Sequence, residues 1–227
     1  MSVVQNLKAN EATATKSKLQ SELAYEVLEE MIVTLEIPPQ TVLSEARLAE
    51  QIGFGRMPVR EALQRLAREG LVRFMPARGV VVSGIDAKSQ IRLLEVRRCL
   101  ERLAVSLAAE RASAEQIEEF RELGRRFRSV RNDKDRLDFM RADRRFNELM
   151  LEASHNPFCT STMSSIQGLS RRFFFRYREA VDLVKTASLH AAIAEAIVQR
   201  EIEAAALASD ALSDHNVEFA LNTIGLP

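Results

Sequence analysis

The pattern of apolar residues changes character at Gly84. Before it, short apolar stretches are broken repeatedly by Gly and Pro; after it, long stretches keep helical periodicity with no strand alternation. Such a chain holds two domains of different build, and Asp86 to Lys88 reads as the hinge between them. The polar residues 1–17, rich in Ala, Thr, Ser, Asn and Lys, read as a flexible arm. A small mixed domain is expected over 18–84 and an all-helical one over 85–227.

Within the first domain, Leu19, Leu23, Val27, Met31 and Leu35 recur every four positions, the spacing of one helix face, and Pro38-Pro39 ends the helix. Ser44 is a candidate N-cap for a short helix from Glu45 to Gln51, stopped by Gly53. Pro58 suits the first turn of a third helix that continues through Val59, Ala62, Leu63 and Leu66 to Gly70. Leu71 to Met75 and Val80 to Val82 flank Pro76-Ala77-Arg78-Gly79 and read as a β-hairpin. Three short helices followed by a hairpin describe a winged helix-turn-helix.

The second domain divides into helices near 87–112, 114–131, 134–154, 158–180, 182–199 and 201–222, a bundle of about six. Ser113 and Gln116 form a capping box between the first two, and Asn156-Pro157 and Arg131-Asn132-Asp133 supply other breaks. Periodicity repeats without sequence repeating, so no solenoid is indicated. The fold class is therefore mostly α.

Lys plus Arg and Asp plus Glu number 32 each, so net charge argues for no partner. Locally the balance differs: Arg56 to Arg78 holds six arginines against Glu61 and Glu69. Cys99 and Cys159 are the only cysteines, with no Cys-x-x-Cys pair, which points away from disulfide scaffolds and zinc fingers and toward a reducing compartment. No secretory leader is expected, and no stretch approaches the roughly 18 apolar residues of a membrane span, so a cytoplasmic location is expected.

Gly53-Phe-Gly-Arg-Met-Pro-Val-Arg60 superficially suggests a dinucleotide fingerprint, but it lacks the third glycine and follows a helix. In a helix-turn-helix, Arg56 and Arg60 stand at i and i+4 near the start of the second helix, where a recognition helix meets bases or phosphates. The planar guanidinium fork suits both targets. The plain alternative is a pair of solvated arginines bonded to an acid such as Glu61. Arg78 before Gly79 at the hairpin tip is either a minor-groove or phosphate contact or an ordinary turn charge.

Leu43-Ser-Glu-Ala-Arg-Leu-Ala49, Gly53-Phe-Gly-Arg-Met-Pro-Val-Arg-Glu-Ala-Leu63, Glu69-Gly-Leu-Val72 and Arg78-Gly-Val80 resemble the DNA-binding domain of GntR-type regulators. The resemblance implies DNA contacts by Arg56 and Arg60, with Gly79 in the wing. A further family arginine falls near Arg47, although the aligned position is Ala46. Gly55 and Met57 depart from the usual Ser/Thr and Thr, removing hydroxyls that often bond phosphate. The second domain resembles the FCD ligand-binding domain of the FadR-like branch, through Glu95-Val-Arg97 with Glu101, Asp143-Arg-Arg-Phe-Asn147, His155-Asn-Pro-Phe158 and His190.

Asp143 and Asn147, at i and i+4, can direct two oxygens to a common centre, and His190 and His215 lie on helices that could face it. The resemblance implies a divalent-metal site from Asp143, Asn147, His190 and His215. However, Asn147 replaces a histidine, and His215 falls one turn beyond the usual position, where Leu212 stands. Two readings follow: a Zn, Ni or Mn site, or direct bonding of an organic ligand by the same residues. Arg97, Arg102, Arg172 and Arg176 lie on apolar helices, and a buried guanidinium needs an anion; Arg97 and Arg172 are candidates for an effector carboxylate, with a solvated face the alternative for Arg172 and Arg176. Phe173 to Phe175 read as core or interface.

The expected protein is a transcription regulator that binds double-stranded operator DNA as a homodimer under control of a small organic acid. The alternatives are a metal-dependent helical-bundle enzyme with an N-terminal docking module, and a protein-binding adaptor. No phosphate loop or activated nucleophile favours the enzyme.

Overall fold

A computed structural model of the chain describes residues 19–76 and 78–224; the expected arm over 1–17 lies outside them. The chain divides into two compact units. The first runs to Ile85 and includes Ser165–Arg176; the second is Asp86–Ser164 and the chain from Tyr177 onward.

In the first unit, helix α1 covers residues 19–33, followed by strand β1 (Val42–Leu43), α2 (Glu45–Ile52), α3 (Arg56–Arg68), β2 (Val72–Met75) and β3 (Gly79–Val82). The fourfold spacing of Leu19, Leu23 and Val27 does locate the helix, but those three residues face outward. The buried side of α1 is instead Ala24, Leu28, Met31 and Ile32. They meet Leu48 and Ala49 of α2, Val59, Leu63 and Leu66 of α3, and Leu71, Val80 and Val82. At Gly53 the backbone takes φ +73°, left-handed geometry that glycine adopts freely, which closes α2 and turns the chain into α3. Ser44 occupies the N-cap position of α2, but its side chain makes no capping bond.

The hairpin forms as expected, with Val72 opposite Val82 and Met75 opposite Gly79. Strand β1 was not anticipated from sequence; two residues are too few for an alternation to register. It pairs antiparallel with β3 and gives the sheet order β1-β3-β2.

In the second unit, α4 (Ala87–Arg111), α5 (Ala114–Ser129), α6 (Arg136–Ala153), α8 (Leu183–Val198) and α9 (Ile202–Asn222) form the bundle, with α7 (Pro157–Arg176) shared between the units. Asp86 caps α4 through Ser89 N–H, and Ser113 and Gln116 make the full capping box at α5. The core carries edge-to-face aromatics: Phe120 with Phe146 at 5.6 Å and Phe127 with Phe146 at 5.7 Å between ring centres. Along α4 and α9, Arg98 reaches Asp210 and Asp214, and Arg102 reaches Asp210 and Glu203. Arg102 is thus held by carboxylates of α9 at the surface, and the expectation of a buried guanidinium there is corrected. Among the described residues no helix is long and apolar enough to cross a membrane.

Candidate nucleic-acid interface and buried polar cluster

The α2–turn–α3 element presents Arg56 at the first position of α3 and Arg60 one turn later, both exposed, with exposed Met57 beside them. Gly55 at the N-cap offers no side chain, so the Arg56 and Met57 amides that open α3 lack a side-chain cap, as at helix starts that accept a phosphate oxygen. Arg47 on α2 and Arg78 at the hairpin tip are exposed as well, and Gly79 takes φ +80° where the tip turns back into β3.

Among the described residues, none of Arg47, Arg56, Arg60 and Arg78 has an ion-pair partner. Glu61, the acid that could have neutralised Arg60, instead accepts the Ser21 hydroxyl. Inward-turning Arg65 behaves differently. It bonds Glu22 at 2.8 Å and Glu69 at 3.1 Å, and its guanidinium lies 3.6 Å over the Tyr25 ring. Tyr25 in turn donates to Glu69 at 2.9 Å, fastening α1 to the C-terminal end of α3.

In the helical unit, His190 lies inside a cage of Phe127, Phe139 and Phe146, with ring centres 5.1, 5.7 and 5.7 Å away. Its Nδ1 is 2.9 Å from the Thr186 carbonyl, which can only accept, so Nδ1 carries a proton. Nε2 lies 2.9 Å from Asp143 Oδ1. Burial pulls the pKa of His190 down, but the bond to Asp143 and its charge outweigh burial, so the net shift is upward; the charge of Glu101 adds to it.

Asn147 turns its amide nitrogen to the Asp143 carbonyl at 2.8 Å and to Asp143 Oδ1 at 3.1 Å. Thr186 gives its hydroxyl proton to the Asp182 carbonyl at 2.7 Å, so its 3.1 Å contact with His215 makes that ring Nε2 the donor. Burial lowers the pKa of His215. Arg97 is buried and bonds Glu101 one turn along α4; its Nε and the Ser213 hydroxyl on α9 are buried without partners.

Asp143, Asn147, His190 and His215 are therefore joined through shared bonds, with Thr186 as the link. Arg97 enters through Glu101, whose charge acts on His190. Thr186 was missed in the sequence, although it stands one turn before His190 on the same helix face. Arg172 belongs to the first unit, where it donates to the Ser83 and Gly84 carbonyls.

A divalent metal would need lone pairs from these groups to converge. Two of the four, Asn147 and His215, present N–H groups to their neighbours. Among the described residues, no three His, Cys, Asp or Glu side chains are placed to hold an ion. The donor set as arranged does not fit a metal.

Two family profiles match the chain. The one described as bacterial regulatory proteins of the gntR family covers residues 20–82, and the FCD domain covers residues 92–215. The chain belongs to the GntR family of bacterial regulatory proteins. Among its relatives is the HTH-type transcriptional regulator YieP of Escherichia coli, 31% identical over 223 residues, spanning 88% of this chain and 96% of that one. The HTH-type transcriptional regulator YdhC of Bacillus subtilis is 27% identical over 146 residues, an alignment spanning 64% of this chain and 65% of that protein. In fold, the chain is similar to E. coli McbR/YncC, with a TM-score of 0.77 at 19% identity, covering 91% of this chain and 99% of that structure. A GntR-family chain of this build is a DNA-binding transcription regulator and not an enzyme.

Proposed function

We propose that this GntR-family regulator grips a two-fold symmetric operator as a homodimer, through the α3 face and the wing. We further propose that a small organic acid in the helical unit, bound without a metal, changes that grip. The DNA reading rests on Arg47, Arg56, Arg60 and Arg78 being exposed without acid partners, which leaves them available for phosphates and guanine edges. We place the protein in the cytoplasm, with the DNA it reads.

The second copy is argued from α4. Leu93, Val96, Leu100, Leu103 and Leu107 follow one another at alternating spacings of three and four, the seam of a helix that packs against another helix. Val96 and Leu103 on that seam are 51% and 43% exposed. A second copy presents the same seam, and two copies related by a two-fold axis match a two-fold operator.

The acid effector is carried by one observation: Arg97 Nε–H and the Ser213 hydroxyl are buried donors with no acceptor. Leaving such groups unmade costs about 1–3 kcal/mol each, and a ligand carboxylate supplies the missing acceptors. Calorimetric titration of the full chain with a panel of small mono- and dicarboxylates, with and without chelator, tests this. Binding that persists in chelator and is lost in Arg97→Met is the expected result. Binding abolished by chelator and restored by zinc, nickel or manganese would overturn it.

A further inference from the structure

Helix α7 begins in the helical unit, but its residues Ser165–Arg176 belong to the first unit. At Gly168 its backbone comes so near that a Cβ would lie 2.9 Å from Leu71 Cδ1 and 3.1 Å from a Glu29 carboxylate oxygen, so any other residue there would force the Leu71 and Glu29 side chains to shift. Leu169 packs onto the winged-helix core and lies against Gly70. Arg171 donates to both oxygens of Glu29, at 2.9 and 3.0 Å, and to Glu30 at 2.9 Å.

Arg172 is 2% exposed. Its two terminal nitrogens donate to the carbonyls of consecutive residues, Ser83 at 3.0 Å and Gly84 at 2.9 Å. Burial pushes its pKa down to about 10, and among the described residues its Nε and the Ser83 hydroxyl are both buried without partners. A buried cation held only by neutral carbonyls is a poor way to stabilise a fold, since an apolar side chain of similar size avoids the desolvation cost. The rigid fork of guanidinium does something an apolar side chain cannot: it fixes the directions of two successive peptide carbonyls.

The places gripped are telling. Gly70 and Leu71 form the turn from α3 into β2, and Ser83 and Gly84 follow β3, so this stretch of α7 holds the wing where both of its strands leave the core. We propose that Gly168 to Arg172 is the positioning element of the DNA-binding unit. It sets the angle of the wing to α3 so that both meet one DNA site, and displacement of α7 reaches DNA affinity through the wing. This rests on reading α3 and the wing as the DNA surface.

The test uses the full chain, a duplex selected in vitro from random DNA by the wild type, and hydroxyl-radical footprinting. In Arg172→Met, affinity for that duplex should fall about tenfold or more, the worth of one lost DNA contact. Protection by the wing should disappear while protection by α3 and non-specific binding persist. If Arg172→Met does not fold, Arg172→Lys, which keeps the charge but offers one ammonium in place of the fork, carries the same comparison. Wild-type affinity and an intact wing footprint in a folded Arg172 variant would overturn the positioning role alone. Failure of the wild type to select any duplex would overturn the DNA reading beneath it.

Discussion

On α3 and the wing, Arg56, Arg60 and Arg78 stand in solvent without an acid partner among the described residues. On α4 to α6, Arg98, Arg102, Arg121, Arg125, Arg126 and Arg145 each close on a carboxylate of their own or a neighbouring helix. The helical unit also takes polar groups inside, where His190, Asp143 and Thr186 satisfy one another. With charges balanced at 32 of each sign, composition says nothing about DNA. What separates these two sets of arginines is whether each is already partnered, because a guanidinium bonded to carboxylate must give up that bond before it can meet phosphate.

The comparison breaks first at the outer side of α4, where the helical unit also leaves a face unpartnered. If that seam joins two copies, Val96→Glu with Leu103→Glu should yield a monomer in sedimentation velocity. Its affinity for a full operator should fall on the order of 100-fold or more, because the half-sites are no longer linked. A dimer that survives both substitutions would assign the seam elsewhere.

Within the buried cluster the expected effect is on stability. His190→Ala empties an aromatic cage and leaves the Asp143 carboxylate short of a partner, a loss of about 2–4 kcal/mol in chemical denaturation. The pH dependence sharpens this. The folded pKa of His190 is raised above the free value of about 6.5, so protonation favours the fold. Its contribution is complete below the free value and is lost as pH rises through the raised one. The melting temperature of the wild type should therefore fall across that window, and Asp143→Asn should flatten the decline. An unchanged slope in Asp143→Asn would show that the pair does not titrate as one.

The smallest effect is expected for the partnered surface arginines. Arg145 bonds Glu119 at 2.5 and 2.9 Å and Glu152 at 3.1 Å, but these groups are part-exposed and screened by water. Arg145→Ala should cost about 1 kcal/mol or less, read as a small shift of the denaturation midpoint.

Much of this architecture was legible in the sequence, because long helices announce themselves by period and by caps such as Ser113 with Gln116. Spacing says less about which way a helix faces. Leu19, Leu23 and Val27 mark α1 correctly, yet its core side is Ala24, Leu28 and Ile32, since the tertiary partner decides which of two apolar stripes is buried. The meeting of Asp143, Asn147, His190 and His215 was readable from the FCD resemblance together with i, i+4 spacing. The direction of each N–H was not, because it depends on what Thr186 and its carbonyl are bonded to. The place of Arg172 was hidden for a similar reason: its partners are backbone carbonyls 88 and 89 positions away, which leave no side-chain signature.

The most direct measurement removes equal charge from the two regions and reads DNA affinity. Arg56→Ala with Arg60→Ala is set beside Arg144→Ala with Arg145→Ala, each titrated against the selected duplex over a range of salt. The first pair should lose about 1–3 kcal/mol of specific binding per base-reading arginine, with a shallower salt dependence for any phosphate contact removed, and keep its melting temperature. The second pair should bind as the wild type does. Equal losses in the two variants would mean that DNA responds to total charge and not to the unpartnered face of α3, which would contradict the proposed interface.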